Sequence, residues 1–143
     1  MSRENVKNLR AHLESWSGKV VPDIQAAVSR GEIDMSVLDP EVTYDDSALR
    51  DHAGETYRGH DGVMRAWEQW SEPFEEVTIE LEEIVGVGDR LVSIHRVRMK
   101  AQHTGIEFEM PLANLYTFRA GKVIHIRSYR DPDEAREAAG VEE

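Results

Sequence analysis

Along the first sixteen residues the apolar side chains fall at Val6, Leu9, Leu13 and Trp16, steps of three and four that set them on one stripe of an α-helix. Ser2 is placed to cap that helix and Ser17-Gly18 to end it. Ile24, Ala27 and Val28 form a second short apolar face, opened by Pro22-Asp23 and closed by Arg30-Gly31. Ile33 to Leu38 reads as a further short helix ahead of Asp39-Pro40. Val42-Thr43-Tyr44 reads as a strand leading into Asp45-Asp46, Ser47 to Gly54 as a polar loop, and Glu55 to Arg58 as a short strand. After Gly59-His60-Asp61-Gly62 a third helical stripe runs through Val63, Trp67, Trp70 and Phe74, with Pro73 marking its end.

From Glu76 the period changes to two. Val77, Ile79, Leu81 and the pair Ile84-Val85 alternate with acidic residues, the pattern of a half-solvated strand. Leu91–Lys100, Ile106–Phe118 and Val123–Tyr129 continue as strands, separated by turns at Val87–Arg90, His103–Gly105 and Arg119–Lys122. Asp131 is an N-cap with Pro132 at the first helical position and Glu134 placed for a capping box, and Gly140 stops that last helix. Consecutive strands without crossover helices predict an α+β fold rather than α/β. A twisted antiparallel sheet of this length must cover its apolar face, and the tryptophan-bearing helices are the available cover.

Composition narrows the setting. A length of 143 residues fits one domain over the whole chain. Hydrophobic residues at 40% and charged residues at 31% balance as in a globular protein. The net charge of −11 argues against nucleic-acid or anionic-membrane partners. There is no cysteine, which excludes disulfides, thiolate nucleophiles, zinc–thiolate sites and iron–sulfur clusters and suits the reducing cytoplasm expected here. The polar start lacks the apolar run of a signal peptide, and no stretch reaches the ~20 apolar residues of a membrane helix. The six histidines show no HxH or HExxH spacing and no glycine-rich nucleotide loop follows a strand, so neither metal nor cofactor is expected.

Four pieces, in order, carry a family resemblance: Asn5-Val6 opening the first helix, Leu38-Asp39-Pro40-Glu41-Val42 entering a strand, Tyr57-Arg58-Gly59-His60-Asp61-Gly62-Val63 before a tryptophan-bearing helix, and Phe118-Arg119-Ala120-Gly121-Lys122-Val123-Ile124 continuing to Arg127-Ser128-Tyr129-Arg130-Asp131. Together they resemble the SnoaL-like branch of the superfamily that includes nuclear transport factor 2, ketosteroid isomerase and the polyketide cyclases. The resemblance implies a cone-shaped, curved antiparallel sheet packed against N-terminal helices around a pocket for a small hydrophobic molecule, and pairing of the sheet into a homodimer. It also implies cofactor-independent acid–base chemistry of the cyclase or isomerase type on a carbonyl compound. The alternative is a non-catalytic ligand-binding or dimerisation module of the same fold. The segment Lys19 to Ser29 departs from the pattern, either as an insertion or because the first helix is an extra one.

The resemblance to ketosteroid isomerase puts its general base near Asp46, where a carboxylate at a strand end facing an apolar cavity loses solvation. Alternation sets Val42, Tyr44 and Asp46 on one face and Thr43 and Asp45 on the other. The position similar to that enzyme's protonated aspartate falls near Asn114, which donates a hydrogen bond without a shifted pKa, while His12 or Ile24 stands at the position of its tyrosine. His95 shares a strand face with Leu91, Ser93, Val97 and Met99 and suits a proton shuttle. His125, Arg127 and Tyr129 share a face of the last strand, with Tyr129 a further donor and Arg127 placed to fix an anion or to pair with Asp46. Tyr44, Tyr57, Trp67 and Trp70 are candidate pocket walls. Each of these residues also has a plain structural reading, as a capping, core or buried ion-pair group. Water activation of the epoxide-hydrolase kind, with an Asp-Arg-Asp set, is weakly supported because Asp89 lies in a turn and Asp131 at a helix cap.

Overall fold

The period-two pattern after position 74 becomes four long strands in the computed structural model, which describes residues 3–18, 26–32, 34–46, 56–71 and 74–140. These are β3 (Phe74–Val87), β4 (Arg90–Ala101), β5 (Glu107–Arg119) and β6 (Lys122–Tyr129), each antiparallel to the next. β1 (Leu38–Asp45) lies parallel to β6, and the short β2 (Thr56–Arg58) pairs antiparallel with β1, giving one sheet in the order β2-β1-β6-β5-β4-β3. Three helices accompany it: α1 (Arg3–Trp16), α2 (Gly59–Ser71) and α3 (Pro132–Ala139). Residues 26–29 form one more helical turn. The architecture is α+β, with a curved six-stranded sheet. Register breaks after Phe74, Leu81 and Thr117 are of the kind that bend and twist strands.

The β1–β6 pairing joins segments about eighty residues apart. Its register is irregular between Leu38 and Thr43, the stretch holding Pro40, which has no N–H to give to a ladder. Between β5 and β6 the loop is only Ala120-Gly121, both at positive φ (53° and 82°), the conformation that matches a two-residue hairpin to strand twist.

Both faces of the sheet carry helices, the second only in part. On one face Leu9, Leu13 and Trp16 of α1 and Val63 and Ala66 of α2 pack on Val42, Ile79, Leu91, Val97, Tyr116 and Ile126. On the other, Ala135 and Ala139 of α3 seal a smaller cluster of Val92, Ile94, Ala113, Leu115 and Tyr129. Asp131 caps α3 by accepting the Asp133 N–H, and Gly140 ends it at φ 84°. The capping contact thus goes to Asp133, with Pro132 in the first turn as expected. The rest of that second face, on β3–β5, is exposed and carries ion pairs of Arg96 with Glu82 and Glu109 and of Arg98 with Glu80 and Glu109.

Two expected elements differ. Residues 34–37 are not helical, and Leu38 already begins β1. The Asp34 carboxylate takes the Ser36 N–H and hydroxyl at 2.8 Å each, a local turn that competes with helix. Phe74 is not on the helix but opens β3, packed edge-on against Phe108 at 5.7 Å. The expected start of the second helical segment at Pro22-Asp23, the loop Ser47 to Gly54 and Pro73 lie outside the described residues.

The stretch entering β1 is tied by side chains of three other elements. His12 of α1 bonds the carbonyl of Asp34 at 2.9 Å, Lys122 of β6 that of Ser36 at 2.5 Å, and His60 of α2 that of Leu38 at 2.9 Å. The backbone adds Val123 N–H to the Val37 carbonyl at 2.9 Å.

Candidate functional site

Alternation on four strands aims polar side chains at α1 and α2. On β1 and just beyond it Val42, Tyr44 and Asp46 are buried, while Thr43 and Asp45 are half-exposed on the other face. The same face receives Asn114 and Tyr116 from β5, Ser93 and His95 from β4, and Ser128 from β6. All of these lie among the apolar side chains of the main core, so each polar atom needs a partner there.

Tyr44, Ser93, His95, Asn114, Tyr116 and Ser128 find one another. Tyr44 Oη lies 2.6 Å from Ser128 Oγ, and Ser128 donates to Asn114 Oδ1 at 2.5 Å, so Tyr44 is the donor to Ser128. Asn114 Nδ2 donates to Tyr116 Oη at 3.2 Å, and Ser93 Oγ donates to the same oxygen at 3.2 Å. Ser93 has only one proton, so its 2.7 Å contact with His95 Nε2 is donated by the imidazole. His95 Nδ1 is then a lone pair, and it makes no hydrogen bond among the described residues. Tyr116 Oη thus accepts two hydrogen bonds, and its own proton is given to no acceptor among the described residues. Burial raises the Tyr116 pKa, with the Ser93 and Asn114 bonds opposing the shift, so the phenol stays protonated. Burial likewise raises the Tyr44 pKa, and it lowers that of His95 to about 4, so the imidazole is neutral at pH 7.

Two small cavities adjoin this chain of groups. One, of about 40 Å³, lies against Tyr44, Asn114 and Tyr116 and is closed by His12, Trp16 and Trp67. The other, of about 20 Å³, lies against Asp46, Ile79, Leu112 and Ala66. Tyr44, Trp67 and Asn114 border both. A water-sized group needs roughly 10–15 Å³. Ligand pockets usually run to several hundred Å³. A larger guest would therefore have to displace the covering helices or Trp67.

The structure sorts the residues singled out from the sequence. Asp46, Asn114, Tyr44 and Trp67 line cavities. His95 lines neither; it stacks on Trp16 (5.6 Å, 22°), itself a wall of the first cavity, and is linked to Tyr116 through Ser93. Tyr57 also lines neither, being buried with its hydroxyl on Gln69 at 2.8 Å. Arg127 does not pair with Asp46 but with Asp45, at 3.8 Å, and covers the Tyr129 ring at 5.1 Å. Tyr129 is buried, but in the cluster beneath α3. The reason is the pleat: Ser128 points to the cavities, so its neighbours 127 and 129 point away. The side chain of Trp70 lies outside the described residues. Sequence reasoning missed Tyr116 and Ser128; of the two residues offered at the tyrosine position, His12 borders the first cavity and Ile24 lies outside the described residues. Tyr116 was within reach, two residues beyond Asn114 on the same strand face. No three His, Asp or Glu side chains cluster as metal ligands among the described residues, and no helix there is long and apolar enough to cross a membrane.

A curved six-stranded sheet covered by helices over a buried polar chain defines an α+β fold of the cone-shaped kind. The chain belongs to the SnoaL-like domain family, whose model matches residues 10–126. A comparison with curated proteins finds no match. Among solved structures, an NTF2-like protein of unknown function from Burkholderia pseudomallei K96243 is similar at 20% identity, over 97% of this chain and 98% of its own, with a TM-score of 0.65. TerC, crystallised with polyporic acid, is similar at 17% identity over 96% and 98%, with a TM-score of 0.64. A protein with a ketosteroid isomerase-like fold from Catenulispora acidiphila DSM 44928, in complex with trimethylamine, is similar at 16% identity over 99% and 96%, with a TM-score of 0.61. At these identities the likeness concerns the fold.

Proposed function

We propose that the protein binds a small apolar carbonyl compound between sheet and helices and transfers a proton at the carbon next to the carbonyl, without a cofactor. The observation that supports this most is the Tyr116 hydroxyl, which accepts from Asn114 and Ser93 and whose own proton has no acceptor among the described residues. A donor polarised by two incoming bonds, in an apolar wall, stabilises charge as it develops on a substrate oxygen. Asp46, buried at the neighbouring cavity with Asn114 and Tyr44, is the base in this reading. Asn114 is a positioning residue that holds Tyr116, and His95 is one through Ser93. Ligands named with two solved relatives, polyporic acid and trimethylamine, are compatible with a family that houses small molecules.

The test is deuterium exchange at the α-carbons of acetone, cyclohexanone and acetylacetone, followed by proton NMR. At least one ketone is expected to exchange above the buffer rate, falling about a hundredfold or more in Asp46→Asn and by a smaller factor in Tyr116→Phe. Exchange that survives Asp46→Asn would remove Asp46 as the base. A second reading, a non-catalytic binding module, is favoured by the small cavity volumes. It requires ketone binding with no exchange above the buffer rate in either the wild type or Asp46→Asn.

We further infer that a homodimer forms through the exposed face of β3–β5. Its support is the charge alternation there, where Arg96 and Arg98 stand against Glu80, Glu82 and Glu109 on an exposed surface. Sedimentation velocity is expected to give twice the chain mass, and the double change Arg96→Glu with Arg98→Glu to return one chain mass. A monomeric wild type at micromolar concentration would exclude the dimer.

A further inference from the structure

His12 stands where two hollows meet. Its ring borders the inner cavity beside Leu13 and Trp16, and it also borders an outer cleft of about 480 Å³ between α1, Glu32 with residues 34–37, and the β5–β6 turn. The cleft is polar, with Asn8, Ser15, Asp34, Ser36 and Lys122 on its walls. Its charges oppose one another in pairs: Glu32 with Arg30, and Asp34 with Lys122, the Asp34 pKa being lowered by the Ser36 hydrogen bonds and further by the Lys122 charge. The Glu32 carboxylate lies 2.8 Å from the Arg30 guanidinium, Asp34 is held by Ser36 at 2.8 Å, and Lys122 Nζ donates to the Ser36 carbonyl at 2.5 Å. An ion entering here would lose hydration without gaining an uncommitted counter-charge, whereas a neutral polar molecule avoids that cost.

The recognition group is His12. Its Nδ1 lies 2.9 Å from the Asp34 carbonyl oxygen, which only accepts, so Nδ1 carries the proton. Burial lowers the His12 pKa, partly opposed by the Asp34 bond, so the ring is neutral at pH 7 and Nε2 is a bare acceptor. The ring is steadied edge-on against Trp16, 6.3 Å away at 82°. Among the described residues it makes no second hydrogen bond. We propose that this junction is a binding site for a neutral phenolic or enolic small molecule, whose hydroxyl donates to His12 Nε2 while its body lies in the outer cleft and a small apolar edge enters the inner cavity. The site is independent of whether Asp46 acts as a base.

The probe is phenol, with toluene as the equivalent ring without a donor. In the wild type, saturating phenol moves the ¹⁵N resonance of His12 Nε2 upfield, as an acceptor gaining a hydrogen bond does, and toluene leaves it in place. In His12→Phe, phenol affinity falls about tenfold, the worth of one hydrogen bond, while toluene affinity is unchanged. An unmoved Nε2 at phenol saturation overturns the proposal. So does an equal loss of both affinities, or a chain that takes up no phenol at millimolar concentration. The wild-type resonance decides the matter even if the variant folds poorly.

Discussion

Trp16→Ala is expected to cost about 3–5 kcal/mol of folding stability, the range for deleting a large buried aromatic side chain. Trp16 is only 4% exposed and joins three parts of the molecule. It meets Trp67 of α2 edge-on at 5.0 Å, stacks on His95 of β4 at 5.6 Å, and closes the inner cavity from α1. The alanine variant leaves a void that these rigid neighbours only partly fill. Urea or guanidinium unfolding at pH 7 measures the loss, and Trp16→Phe is expected to lose less because a ring still covers His95. A loss below about 1 kcal/mol for the alanine variant would mean that α1 does not pack on the sheet as described.

The second large effect is acid sensitivity through His95. This imidazole is wholly buried, and burial holds its pKa at about 4 in the native state against 6.5 for a free histidine. Above pH 6.5 it is neutral in both states and folding carries no proton penalty. Between pH 6.5 and 4 the unfolded chain binds a proton that the native chain refuses, so stability falls as the pH falls. The full loss across that window is about 3 kcal/mol. His12, whose pKa is also lowered, adds to the slope in the same direction. Denaturant midpoints measured from pH 7.5 to 4.5 should decline less steeply in His95→Gln than in the wild type, whatever the offset at pH 7.5. Parallel profiles for the two proteins would show that His95 titrates normally. The two effects are coupled: removing Trp16 admits water to the imidazole, so the His95 pKa followed by NMR is expected to rise in Trp16→Ala.

Much of the frame was legible because long half-buried strands leave a strong period-two signature. β3 to β6, the turns between them and the inward set Val42, Tyr44 and Asp46 follow from it directly. The face of β6 was not legible. Both Ser128 and Tyr129 are buried, one toward the cavities and one beneath α3, and alternation cannot tell two covered faces apart. Ile33 to Leu38 is too short and mixed in polarity for spacing to separate helix from extended chain, and the Asp34–Ser36 turn leaves residues 34–37 non-helical. Phe74 continues the helical stripe by spacing alone. Its place in β3 comes with Ala101 and Phe108, partners that lie 27 and 34 positions along the chain. The parallel union of β1 with β6 is equally long-range. The polar chain through Tyr116 needed four strands in register before its members could be seen to touch.

The ties on residues 34–38 grip main-chain carbonyls, so they are indifferent to which side chains that stretch carries. Met35 and Leu38, meanwhile, face the hollow that a guest would fill. Shape selectivity could therefore drift by exchange at these two positions while the fastening stays intact, which makes this rim the natural place to redesign what the protein admits.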